Sequence, residues 1–181
     1  MSVVQVPEPP LSKFLFADTR MSWLWLVIRV YVGWQWLISG WEKATNPIWM
    51  GPTAGGALKG FILGSLTKTG GAHPSVSSWY ADFLKTTVLP NVNLFSSLVA
   101  VGELLVGIAL IIGAFTGIAA FFGAFMNMNY LFAGTISVNP LLFLLELFLI
   151  LAWRTAGYLG LDRFLLPLLG VPWSPGKLFK K

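Results

Sequence analysis

Apolar and polar positions in this chain segregate on the scale of whole helices. Four long apolar stretches stand out: residues 21–41, residues 94–112, a third from 117 to about 133, and a fourth from near 136 to 153. A helix crosses a hydrocarbon core of about 30 Å with about 20 mainly apolar residues, and each stretch meets or approaches that length. Glycines at 113 and 117 bracket a tight turn between the second and third stretches. Pro140 falls in the first turn of the fourth, where its missing N–H costs no hydrogen bond. The pattern predicts an all-α membrane protein, a four-transmembrane-helix bundle.

The long connection at residues 42–93 carries its own periodicity. Val76, Trp79, Tyr80, Phe83, Leu84 and Val88 form an apolar stripe at helical spacing, and Leu58, Phe61, Ile62 and Leu66 suggest a shorter one. We read them as two amphipathic interfacial helices in the outer loop between helices 1 and 2. The Gly-, His- and Pro-containing run at 67–75 is a turn between them. After Trp153 the chain is apolar but broken by Gly157, Gly160, Asp162, Arg163 and Pro167, so it is expected along the inner surface. The organisation is a cytoplasmic tail at 1–20, the membrane domain at 21–168 and a basic cytoplasmic tail at 169–181.

Composition sharpens this picture. Charged residues make up 10% of the chain, against about a quarter in soluble proteins, which excludes an ordinary soluble enzyme. There is no Cys and one His, His73, in a polar loop. Haem, Fe–S clusters and metals are therefore not expected to be ligated by this chain alone. The net charge of +5 comes from basic residues flanking apolar runs, a membrane usage that argues against nucleic acid. Lys13, Arg20, Arg154, Arg163, Lys177, Lys180 and Lys181 on the tail side predict that both termini are cytoplasmic.

Few polar residues remain inside the predicted spans, and such residues are costly there. At about 1.5 Å rise per residue, Arg29 lies roughly 10 Å from the cytoplasmic end. On the same rise Glu146 lies about 12 Å in, Glu103 about 15 Å and Asn127 about 18 Å. Two readings are open. Arg29 pairs with Glu103 or Glu146 and fixes helix packing, or a carboxylate without a full partner exchanges protons with a redox substrate. Arg29, Gly33, Trp36, Gly40 and Lys43 share one face of the first helix. Its glycines serve close packing, or they open a slot for a flat ligand walled by Trp36. Asn127 and Asn129 point in opposing directions on the third helix, so at least one faces the bundle.

Several of these stretches carry a resemblance. Gly40-Trp41-Glu42-Lys43, residues 102–107 (GELLVG), residues 127–140 (NMNYLFAGTISVNP) and residues 152–163 (AWRTAGYLGLDR) resemble the DoxX/DoxD family. The long outer loop is closer to the DoxD branch. The resemblance implies a multi-pass protein of a prokaryotic plasma membrane, and for the DoxD branch a subunit of thiosulfate:quinone oxidoreductase with a second redox subunit, DoxA. In that setting Lys43 meets the anionic substrate and Glu103 and Glu146 relay the protons of quinone reduction. Asn127, Asn129 or Tyr130 bond the quinone carbonyls. The competing expectations are a non-catalytic accessory subunit of a larger respiratory or photosynthetic complex, and a small proton pathway or transporter.

Overall fold

The computed structural model describes residues 7–171; within them the chain is helical, with no strand. Lys177, Lys180, Lys181 and most of the predicted basic tail lie outside the described residues. Helix α1 (Pro10–Ala17) leads through a short 3-10 turn into α2 (Ser22–Ala44). At that turn Asp18 accepts bonds from the backbone and side chain of Arg20, which holds its carboxyl below the ordinary aspartate range. Then come α3 (Gly56–Leu66), α4 (Ser78–Phe83), α5 (Val92–Ile112), α6 (Thr116–Phe132) and α7 (Asn139–Leu151). Two short helices, α8 (Trp153–Ala156) and α9 (Asp162–Leu168), complete the chain.

The long helices pack in a ring: α2 runs antiparallel along α5, α5 packs on α6, α6 on α7, and α7 returns to α2. The α2–α5 contact is the closest because both helices present glycine. A Cβ at Gly40 would sit 2.4 Å from the Leu104 amide nitrogen, and one at Gly107 would sit 2.5 Å from that of Leu37. The space along Gly33 and Gly40 is thus filled by α5, and no slot for a flat ligand opens beside Trp36.

Polarity is inverted relative to a water-soluble bundle. Trp23, Trp34, Leu98, Leu105, Phe121, Phe122 and Leu151 point outward, each more than half exposed, whereas Arg29, Glu103, Asn127 and Glu146 are almost fully buried. Among the described residues one continuous helical stretch, Ser78–Ile112, is by length and composition apolar enough to cross a membrane, and Asn139–Leu151 is a shorter apolar helix. Residues 22–44 are long enough, but Arg29, Gln35, Ser39, Glu42 and Lys43 dilute their hydropathy.

That 35-residue stretch corrects the expected outer loop. The second interfacial helix is not separate: α4 passes through a π turn (Leu84–Val88) and a 3-10 turn (Leu89–Asn91) directly into α5. Pro90 opens the 3-10 turn, where it breaks nothing. The stripe itself narrows to Val76, Tyr80, Leu84 and Val88, all buried against Leu58 and Ile62 of α3 and against Ala133. Trp79, counted in the predicted stripe, is 60% exposed. A four-residue spacing drifts around a regular α-helix, and the wider π turn brings it back to one face.

The segment after α7 also departs from expectation. Its supposed breakers build a lock at the α5–α6 turn. Arg29 Nη1 donates to the carbonyls of Leu110 (2.6 Å) and Ile111 (2.8 Å), and Nη2 donates to that of Leu159 (2.8 Å). The Asp162 carboxylate accepts from the amides of Phe115 (2.5 Å) and Thr116 (2.9 Å), capping α6 from a distant part of the chain. A cation thus sits at the C-terminus of one helix and an anion at the N-terminus of the next. Glycine is required around them. A Cβ at Gly157 would lie 1.9 Å from Asp162 Oδ2, and Gly113, in the left-handed region at φ 68°, would place one 2.7 Å from the guanidinium.

Four substitutions test this packing. Gly40→Val forces backbone apart and should lower stability by about 1–3 kcal/mol, whereas Gly64→Ala, with open space around its Cβ, should be neutral or stabilising by up to about 1 kcal/mol. Thermal unfolding followed by tryptophan fluorescence in detergent compares the two. By the same assay Arg29→Met should cost about 3 kcal/mol or more, because buried carbonyls lose a charged donor. Asp162→Ala should cost about 1–2 kcal/mol through the lost cap.

Candidate functional site

Glu103, Asn127 and Glu146, buried, and the less buried Lys43 and Tyr130 form a seam from the middle of the bundle towards the end covered by α3. Helix α2 supplies Trp36, Ser39 and Lys43, spaced three and four residues apart and therefore on one face. Helix α6 supplies Asn127 and Tyr130 at the same kind of spacing. Glu103 enters from α5 and Glu146 from α7. Helical periodicity explains why each residue points inward; the antiparallel register of the ring decides which residues meet.

Glu103 lies at the α3 end of the seam. Its Oε2 pairs with Lys43 Nζ at 2.8 Å, and its Oε1 accepts the Tyr130 hydroxyl at 2.5 Å. Lys43 also donates to Ser39 Oγ (2.7 Å) and lies over the Trp49 ring, 5.3 Å from its centroid. The Lys43 side chain keeps 18% of its surface exposed against 1% for Glu103, so the lysine is the group through which this end meets its surroundings. Phe61 of α3 stands edge-on to Tyr130 at 6.0 Å and covers the phenol.

Glu146 lies deeper and is fully buried. Trp36 Nε1 donates to its Oε1 at 2.5 Å, and Asn127 Nδ2 donates to its Oε2 at 2.7 Å. Gly123 makes room for this carboxylate, since a Cβ there would lie 2.5 Å from Oε1. Asn127 Oδ1 is buried with no hydrogen-bond partner.

The structure separates residues that sequence distance had grouped. Arg29 pairs with neither Glu103 nor Glu146. It is engaged at the α5–α6 turn, because its short reach from the start of α2 ends at the carbonyls of Leu110, Ile111 and Leu159. Asn129 faces away from both carboxylates: its Nδ2 donates to Phe125 O, and Tyr80 Oη donates to its Oδ1 and backbone oxygen. Lys43, Trp36, Asn127 and Tyr130 do meet the carboxylates, through bonds to protein rather than to an open cavity. Ser39 and Trp49, which position Lys43, escaped the sequence reading, although Ser39 sits one helical turn before the lysine. His73 is exposed.

A quinone ring needs a flat slot and free donors for its two carbonyl oxygens. Here the indole N–H of Trp36, one amide N–H each of Asn127 and Asn129 and the Tyr130 hydroxyl are donated to protein acceptors. No step through a quinone is assigned to the seam. What these groups can do is hold an ion pair beneath the surface and keep a second carboxylate dry in the interior. Among the described residues, no cluster of three or more His, Cys, Asp or Glu side chains has the makings of a metal site.

Comparison with known proteins finds no curated protein and no solved structure that matches. The family model for DoxX matches residues 24–136, more than half of the chain. That region holds α2 through α6 and with them Arg29, Trp36, Lys43, Glu103, Asn127 and Tyr130, while Glu146 and Asp162 lie beyond it. With its inverted polarity and this match, the chain belongs to the DoxX family of membrane proteins.

Proposed function

We propose that this chain is the integral-membrane subunit of a quinone-linked oxidoreductase, with thiosulfate as the electron donor to test first. The observation that carries the reading is the polar seam: two fully buried carboxylates and a half-buried lysine inside helices whose outer faces are apolar. Ionisable groups are retained at such cost where protons or ions are handled. In this reading α2, α5, α6 and α7 each cross the plasma membrane of a prokaryote, with both termini cytoplasmic. Thirteen residues of α7 rise only about 20 Å, and the flanking turns at 133–138 and α8 extend it towards the interfaces. An oxyanion donor approaching from the outer face meets Lys43. A second redox subunit receives the electrons and provides the quinone contact.

A second reading is favoured by composition. With no cysteine, one histidine and wide aromatic faces on α2 and α6, the chain also suits an accessory subunit that packs against a cofactor-bearing partner in a larger respiratory or photosynthetic complex.

Thiosulfate-dependent reduction of a short-chain quinone, measured on the complex gently solubilised from its native membrane, tests both. Glu103→Gln preserves an acceptor for Tyr130 but removes the ion pair; the oxidoreductase reading expects turnover to fall on the order of 100-fold with assembly retained. Unchanged turnover in that variant removes Glu103 from the chemistry. A stoichiometric partner complex with no turnover at all favours the accessory role.

A further inference from the structure

Every buried or half-buried acid but one has a positive counterpart. Glu103 has Lys43, Asp18 has Arg20, and Asp162 has the N-terminal amides of α6 with Arg29 close by. Glu146 has none among the described residues: its two bonds come from the neutral donors Trp36 Nε1 and Asn127 Nδ2. The surrounding elements offer no substitute. On α2, Arg29 is held by three carbonyls and Lys43 by Glu103 and Ser39. Helix α5 brings only Glu103, α6 brings Asn127 and a Tyr130 already bonded to Glu103, and α7 carries no other ionisable residue. A buried carboxylate without a countercharge is expensive. A second observation lies on the same pair of side chains: Asn127 Oδ1, buried and fully inside the bundle, accepts no hydrogen bond.

We propose that Trp36, Glu146 and Asn127 form a proton-loading site, whose ligand is a proton drawn from outside the chain. In the unloaded state Asn127 Nδ2 donates to the Glu146 carboxylate, as seen here. On loading, a hydronium delivers its proton to Glu146 and leaves as water. The Asn127 amide turns over, and its Oδ1 accepts the new O–H. The site's charge goes from −1 to zero, and the amide has a partner in either state. Gly123 makes room for Oε1, the other carboxylate oxygen, which Trp36 keeps bonded throughout. Glu103 is different in kind, because its charge is matched by Lys43. The two acids that the sequence grouped together thus divide into a fixed ion pair and an exchangeable site. This assignment rests on the proposed oxidoreductase reading only for the destination of the proton.

Two readouts on the full chain in detergent or liposomes test it without any electron donor. Infrared difference spectra across a pH step, in H₂O and D₂O, should show the carbonyl stretch of a protonated carboxylic acid. That band should vanish in Glu146→Gln and persist in Glu103→Gln. In Asn127→Leu it should shift to the frequency of an unbonded acid. A lipid-soluble carbodiimide, which attacks protonated carboxyls, should label Glu146 as located by peptide mass spectrometry. A band or label that follows Glu103 overturns the assignment, as does the absence of any acid band on Glu146. Protection of Glu146 by Na⁺ at constant pH also overturns it, by making the ligand a metal cation. A chain that turns over no thiosulfate yet shows the Glu146 band retains this site and loses the other reading.

Discussion

The lock at the α5–α6 turn is the interaction on which the rest of the bundle depends. Two helix ends meet there inside apolar surroundings, and their last carbonyls and first amides need partners that lipid and leucine do not offer. Arg29 supplies a cation to the first set and Asp162 an anion to the second. Backbone bonds from Leu161 to Ile112 and from Asp162 to Gly113 tie the same two turns together. Since Arg29 belongs to α2 and Asp162 to α9, one small polar knot joins four elements that are far apart in the chain.

Once that end is pinned, the glycine contacts decide what happens along the helices. Gly33, Gly40 and Gly107 bring α2 and α5 nearly backbone to backbone. At that distance the same face of α2 places Lys43 on Glu103 and Trp36 on Glu146, seven residues apart on one helix and on two different neighbours. A wider α2–α5 spacing would draw Lys43 away from Glu103 and leave that carboxylate the Tyr130 hydroxyl alone. The packing glycines are therefore part of the site's construction, although none touches a reacting group.

The two carboxylates differ in what the fold grants them. Glu103 has a cation, a phenol and an outlet to the surface through Lys43, which suits an electrostatic role toward an arriving anion. Glu146 has an indole and an amide, no cation among the described residues, and no exposure. The DoxX match ends at residue 136, so its range includes Lys43, Glu103 and Tyr130 but not Glu146. The Glu146 end stands on the geometry of this chain.

Much of this was legible beforehand. The apolar stretches defined the helices to within a few residues, because a chain with so few charges must bury backbone polarity in helices, and helical periodicity shows which face each side chain takes. Arg29, Glu103, Asn127 and Glu146 stand out by type alone, since ionisable and amide groups are rare in such stretches. Partnership was not legible. Depth along an axis put Arg29 within reach of both carboxylates, but rotation of one helix against another and the turn at residues 157–162 sent it to carbonyl oxygens instead. Asp162, with glycines around it, reads as a helix breaker; only the folded chain shows that those glycines clear space for its carboxylate. Likewise no periodicity could reveal that α4 runs on into α5 through a π turn. The sequence by itself determined which groups are inside. The tertiary structure decided which of them neutralise one another, because pairing depends on interhelical register and on contacts between residues more than a hundred positions apart.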